Sequence, residues 1–341
     1  MAEPNGDLRV GVVGTGSLGF HHARILRDVP ETEMKGVFEI RPERAEEVVR
    51  ELGVVAHAAL EGLLDDVDAV VVAVPTIHHE AVAVAAVERG IHVLIEKPMA
   101  PDLGAADNIL SAAQETGALV QIGHVERFNP ALLAAEPYLE QPLFIESHRI
   151  APFVPRSTDV AVVLDLMIHD VDLVCGLVGH PIQDIAAAGV PVLTPNVDIA
   201  NARLTFQGGA VANLTASRVS VERMRKLRLF QRSGYISLDL AEGTGEFLRL
   251  KQDLPFLSGK AELAGGIPES GMAGLVERIP LKGEKVEPLR SELESFRDAC
   301  LGRRTTAVSG VDGREALAVT LSIEERIRSH VADSRSAQAK A

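Results

Sequence analysis

Asp165, His169 and Asp172 lie inside VVLDLMIHDVDLV, residues 162–174, a stretch otherwise composed for burial. On a helix the spacing i, i+4, i+7 puts the three on one narrow stripe. Val162, Val163, Leu166, Met167, Val171, Leu173 and Val174 cover the rest, and Asp170 falls off the stripe. An imidazole with its usual pKa of about 6.5 takes up or releases a proton near neutral pH. A carboxylate one turn earlier can orient that ring and stabilise its protonated form. Taken alone, the stripe fits two descriptions: a thin solvent face on a core helix, or a face turned toward a cleft. Asp172 reads as a supporting or structural residue.

A second set of residues is suited to binding. GVVGTGSLGFHHA carries G-x-G-x-x-G at Gly14, Gly16 and Gly19, directly after an apolar strand and at the opening of a helix, which is the context the pattern requires. The first glycine permits a tight turn, the second lets a pyrophosphate approach the backbone, and the third lets helix and strand pack closely. The helix N-terminus then faces the anion, so Gly14, Thr15, Gly16, Ser17, Leu18 and Gly19 are expected to cradle a dinucleotide. Glu39 ends the second strand about 20 residues past Gly19, where a carboxylate holds the adenosine ribose diol. An acid there repels a 2′-phosphate, so the expected cofactor is NAD rather than NADP, with Arg41 partly offsetting that preference.

The elements that would position these residues follow from hydrophobic periodicity. The first third alternates short Val/Ile/Leu strands with helical segments: LRVGVVG, EMKGVFEI, DAVVVAVP, IHVLIEKP and ALVQIGHV are the strands. RPERAEEVVRELG opens on Pro42 and closes on Gly53, while DLGAADNILSAAQETG has Asp102 as N-cap and Gly117 just past its end. Near-continuous apolar strands between such helices indicate a doubly wound parallel α/β sheet of the Rossmann type. After about Val125 the strands lengthen and alternate, with hairpin signals at Gly208-Gly209 and Ser233-Gly234. The expected second domain is therefore α+β with an open, mostly antiparallel sheet. Leu254 to Gly283 reads as an irregular excursion. The boundaries drawn from sequence are 1–124, 125–333 and a disordered tail over 334–341.

Composition excludes several classes. A net charge of −14 argues against nucleic acid or an anionic membrane surface as the main partner. Two cysteines, Cys175 and Cys300, give neither a disulfide framework nor a metal site, and no spacing among His78, His92, His124 and His148 suggests zinc. No secretory signal or membrane span is evident, so a reducing, cytoplasmic location is expected.

With these pieces in place, VAVPTIHHE (72–80), IEKP (95–98) and the D-x-x-x-H of Asp165 and His169 join the glycine turn. Together they resemble the Gfo/Idh/MocA family of sugar and polyol oxidoreductases over nearly the whole chain. The resemblance implies that Lys97, with Glu96, lies beside the nicotinamide ribose and the reacting carbon. It further implies that Pro75, Thr76 and His79 form a cofactor-contacting turn, and that Asp165 and His169 are the catalytic pair on a helix entering the cleft between domains. Hydride transfer from a secondary alcohol needs a base for the hydroxyl proton, and His169 has the chemistry for it.

GHVERFNPAL (123–132), PRSTDVAVVLDLMIHDVDL (155–173) and SRVSVERMRKLRLFQRSGYISLDL (217–240) are similar to the branch of that family that oxidises UDP-N-acetylglucosamine at C3. In that branch the 3-keto product passes to an aminotransferase, as for lipid A-type amino sugars. A diphosphate substrate calls for cations, and Arg127, Arg149 and Arg156 lie on these segments, as does Arg218; Asn129 and Thr158 are candidates for the sugar or its acetamide. The basic run Arg223, Arg225, Lys226, Arg228 reads first as a solvated strand face. A polyol or free-sugar dehydrogenase of the same family and a non-catalytic NAD(P)-binding regulator are the competing descriptions. An exposed sheet face predicts a homodimer or homotetramer.

Overall fold

In the computed structural model of the chain, residues 6–154, 160–251 and 274–338 are described. Two compact units divide it: Met1–Phe128 with Val286–Val319, and Asn129–Lys285 with Thr320–Ala341.

In the first unit β1 (Leu8–Val13), β2 (Thr32–Phe38), β3 (Ala69–Val72), β4 (His92–Glu96) and β5 (Val120–Gly123) form one parallel sheet in the order β2-β1-β3-β4-β5. Between the strands run α1 (Ser17–Leu26), α2 (Pro42–Leu52), α3 (Leu60–Leu64), α4 (His79–Val87) and α5 (Leu103–Thr116). Every residue of β3 is buried, as is the Val93–Ile95 run of β4, because helices cover both faces. All five strands read from sequence are present, and so are the caps. Pro42 opens α2, Gly53 ends it in the left-handed region at φ 66°, and the Asp102 carboxylate accepts from Ala105 N at 2.9 Å. The five-residue α3 has too short a pattern to announce itself. The strand order reverses between β1 and β3, and in such sheets ligands bind beyond the carboxyl ends of the strands at that point. The glycine turn and the turn holding Pro75 both lie there.

The second unit is built on β6 (Phe144–Pro152), β7 (Ile182–Val190), β8 (Ile199–Phe206), β9 (Val211–Ser220), β10 (Met224–Gln231), β11 (Gly234–Asp239), β12 (Thr244–Leu250) and β13 (Val276–Lys282). Their order is β13-β12-β11-β10-β6-β9-β8-β7, and only the β6–β9 pair is parallel. Both hairpin signals hold: Gly208 and Gly209 turn at φ 92° and 90°, and a side chain on Gly234 would strike the carbonyl of Leu248 at 2.1 Å. One sheet face is buried through Ile145, Leu204, Leu214, Leu227, Leu229 and Ile236, with α6 (Pro130–Ala135) and α7 (Ile168–Val178) packed on it. The opposite face carries His148, Asn201, Arg203, Lys226 and Arg228. It is therefore more polar than a broad apolar face, although Phe144, Phe230 and Tyr235 form an aromatic cluster on it.

Four expectations need correction. First, α8 (Pro288–Cys300) and the opening of α9 (Gly310–Gln338) belong with the first unit rather than the second domain. Leu293 and Phe296 complete the core around Val10, Ile25, Val71 and Leu94, and Ile122 N donates to Val308 O at 3.0 Å. An amphipathic pattern shows that a helix face is buried, not against which sheet. Second, β13 falls inside the presumed irregular stretch. Charges and Pro280 disguise it, and both are normal on an edge strand. Third, α9 continues to Gln338, past the expected start of a tail at 334. Fourth, the helix bearing the ionisable stripe opens with a π-type turn over Val163–Met167 before α7 starts at Ile168, a widening that recurs at functional sites. Among the described residues no helix is long and apolar enough to cross a membrane.

Candidate active site

Elementary sterics shape the turn after β1. Gly14 sits at φ 84°, and a Cβ there would press on the Ala73 carbonyl oxygen at 2.8 Å. A Cβ on Gly19 would fall 1.9 Å from the Gly14 carbonyl oxygen, so α1 can lie this close to the turn only without a side chain. Gly16 differs, because a Cβ there would meet nothing within 4 Å. Open space at that position, together with an α1 N-terminus that no side chain caps among the described residues, leaves room for a phosphate to approach the amides. Ser17 and Leu18 are exposed on the same turn.

Glu39 follows β2 and reaches back to this turn. Its Oε2 accepts from Thr15 N at 2.9 Å and Thr15 Oγ1 at 3.0 Å, and its Oε1 accepts from Arg41 N at 3.2 Å and Arg41 Nε at 2.9 Å. Burial opposes the charge, but the hydrogen bonds from Arg41 and Thr15 outweigh it and hold the carboxyl down at about 2. Glu39 is thus a fixed anion at the end of the second strand. An open glycine position, uncapped amides and an ionised carboxylate at this spacing fit NAD. Arg44 escapes a reading of the sequence. Its Nε donates to Thr15 O at 2.8 Å, and its guanidinium lies 5.2 Å from the Phe20 ring centroid, bracing the turn from α2.

At the end of β4, Lys97 is half-buried, and Glu96 and His79, which are expected with it at the cofactor, bond within the protein. Glu96 is only 8% exposed, its Oε1 lies 2.7 Å from His22 Nε2, and its Oε2 accepts from Lys97 N at 3.2 Å. Burial disfavours its charge, but the His22 hydrogen bond and the Lys97 ammonium prevail and lower its pKa. His79 is also buried. Its Nδ1 lies 3.0 Å from Pro98 O and its Nε2 3.0 Å from Val74 O, so the ring ties the turn after β3 to the turn after β4. Burial lowers its pKa against the pull of those carbonyls. Glu96 and His79 are thus buried among these turns, while Pro75 is exposed and Thr76 half-buried on the turn after β3. The one sequence signal for His22 is a histidine on the apolar stripe of α1, beside Gly19, Ala23 and Leu26.

In the second unit Asp165 and His169 are half-buried, whereas Asp172 is 1% exposed. Three of the expected substrate ligands make bonds within the fold. Arg149 pairs with Asp170 and is buried, because β6 points it inward at α7. Asn129 caps α6 through Ala131 N at 3.1 Å and donates to Leu240 O at 2.8 Å. Arg218 likewise pairs with the buried Asp198 at 3.0 Å. Arg127 is half-buried in the turn Val125–Phe128. Arg156 and Thr158 lie outside the described residues. Lys226 and Arg228 face Asp239 and Glu146 across strands, which is the solvated face their spacing suggested. Among the described residues no cluster of His, Cys, Asp or Glu is arranged to hold a metal.

Residues 8–124 match the family described as an oxidoreductase family with an NAD-binding Rossmann fold, and residues 145–237 match the GFO/IDH/MocA C-terminal domain. The chain belongs to the Gfo/Idh/MocA oxidoreductase family. It is 38% identical to the UDP-N-acetylglucosamine 3-dehydrogenase of Acidithiobacillus ferrooxidans, over 93% of this chain and 96% of that one. The solved structure of that enzyme superposes with a TM-score of 0.85 at 35% identity, covering 95% and 99% of the two chains. The scyllo-inositol 2-dehydrogenase (NAD(+)) of Bacillus subtilis is 29% identical over 62% of this chain and 68% of its own. Family membership makes the protein an NAD-binding oxidoreductase.

Proposed function

We propose that the protein oxidises the C3 hydroxyl of a UDP-N-acetylhexosamine, UDP-N-acetylglucosamine in the first place, to the 3-keto sugar. The observation that carries this reading is that the likeness to the A. ferrooxidans enzyme runs through both units, including the one that would select the substrate. Bound NAD supplies the acceptor for the hydride leaving C3. His169 takes the hydroxyl proton, Asp165 orients the imidazole, and the Lys97 ammonium stabilises the negative charge developing on the C3 oxygen. Glu39 holds the adenosine ribose diol. With Arg149 committed to Asp170, the diphosphate falls to Arg127 and Arg156, and the sugar to Thr158. A 3-ketone on such a sugar suits an aminotransferase as the next enzyme. NAD and nucleotide sugars share the cytoplasm, where this reading places the reaction. Self-association as a dimer or tetramer, through the sheet face bearing Phe144, Phe230 and Tyr235, completes it, and light scattering giving a strict monomer would remove that element.

The test is a panel of UDP-N-acetylglucosamine, UDP-N-acetylgalactosamine, UDP-glucose, myo-inositol and glucose, each with NAD and with NADP, followed by NADH absorbance. The UDP-N-acetylhexosamines with NAD are expected to turn over fastest, with the ketone located at C3 by NMR. Preference for myo-inositol would move the protein to the polyol class. Cofactor binding without turnover of any sugar would make it a regulator.

A further inference from the structure

We propose that His22 is a positioning residue for Lys97, acting through the carboxylate of Glu96; this rests on the reading of Lys97 as the amine that works at the reacting carbon. His22 stands on the buried stripe of α1 and is fully buried. An alanine or leucine would fill that stripe at no polar cost. Its Nδ1 has no hydrogen-bond partner among the described residues, so the ring carries a desolvation penalty that its packing does not explain. The compensating interaction is the 2.7 Å contact with Glu96 Oε1. An ionised carboxylate can only accept, so Nε2 carries the proton and donates it.

Glu96 passes that constraint on. Its second oxygen accepts the backbone N–H of Lys97 at 3.2 Å, so one carboxylate links α1 to the peptide that carries the lysine. Its room to turn is limited on the β5 side, where even a Cβ added to Gly123 would come within 3.3 Å of the carboxylate. Without the donor at His22, a buried anion loses its closest partner and relaxes by taking up a proton or turning away. The first weakens the bond to the Lys97 amide and the second breaks it. α1 is also the helix whose N-terminus forms the dinucleotide cradle. The lysine and the cofactor are thereby referenced to one rigid element, as positioned chemistry requires.

The test uses the full chain and the sugar that the wild-type protein oxidises fastest. His22→Leu removes the donor, while His22→Gln keeps an N–H at about the position of Nε2. His22→Leu is expected to lower kcat by about tenfold or more, since sub-ångström displacement of a reacting group carries penalties of that order. NAD affinity, read by NADH fluorescence titration, should stay within about twofold, and His22→Gln should recover most of kcat. Unchanged turnover in His22→Leu would overturn the proposal. So would equal damage in both variants, which would mark a packing role, or a loss confined to NAD affinity. Lys97→Ala, measured alongside, separates the two readings. If it is harmless, the assignment of Lys97 fails and the proposal with it. If it is severely impaired while His22→Leu is not, only the role of His22 is lost.

Discussion

Arg149 and Asp170 meet through two parallel hydrogen bonds, Nε to Oδ2 at 2.9 Å and Nη2 to Oδ1 at 3.0 Å, with both side chains buried. Asp170 directly follows His169, so this pair fastens the first turn of α7 to β6 next to the proposed base. Replacing Arg149 by Met leaves a buried carboxylate without this partner and should cost about 3–5 kcal/mol of stability. Arg149→Met combined with Asp170→Leu should recover most of that. Urea unfolding of the three proteins checks this. A normal midpoint for Arg149→Met, with a raised KM for the sugar, would return the arginine to the substrate.

Gly16 and Gly19 belong to one motif but should fail in different ways. Gly19→Ala drives a methyl into the Gly14 carbonyl, so the protein itself should lose stability. Gly16→Ala meets only open space and should melt normally. Its methyl would occupy the approach of the pyrophosphate, and NAD affinity should fall by about tenfold or more, the loss of roughly one charge-assisted hydrogen bond. Calorimetry on both variants, with and without NAD, separates the effects. Equal melting temperatures for the two would contradict the geometry.

The contrast between those glycines shows where sequence is informative. The spacing of Gly14, Gly16 and Gly19 after an apolar strand is legible because the constraint is local. Glu39 is legible because one βαβ unit has a fixed length. The bonds of Arg149 to Asp170 and of Asn129 to Leu240 were not legible, because a cation or an amide in a sequence carries no sign of which way its strand or turn faces. His22 and Arg44 were invisible because their partners, Glu96 and the Thr15 carbonyl, are distant in sequence and brought near only by the sheet. For the same reason α8 was assigned to the wrong unit: periodicity gives it a buried face without naming the surface that covers it.

Glu39 also makes a prediction in pH. Its carboxyl is held at about 2 in the folded protein, against 4.5 ordinarily. A depressed carboxylate contributes stability that is complete above the unfolded value and is lost as pH falls through the folded one. The window is therefore pH 4.5 down to 2, and stability in it should fall less steeply for Glu39→Gln than for wild type. Above that window the anion is constant, so ribose recognition should not vary with pH. Glu39→Ser should weaken NAD and shift preference toward NADP, with Arg41 then able to face a 2′-phosphate. Unaltered relative affinities would mean that the ribose is held by another group.

The assignment of the base is tested at His169. His169→Ala should lower kcat by about 100-fold or more, the usual contribution of a positioned general base, with NAD affinity nearly unchanged. Asp165→Asn keeps the size of the side chain but removes the charge that would stabilise the protonated ring, so a smaller loss is expected. If the two residues act as a unit, Asp165→Asn in the His169→Ala background should cost little more, because its effect passes through the imidazole. Raising the pH should partly restore Asp165→Asn, since hydroxide assists removal of the same proton, while Lys97→Ala should not respond in that way. Wild-type turnover in His169→Ala would transfer the proton to another acceptor, and a full additive loss in the double variant would give Asp165 a contact of its own with the sugar.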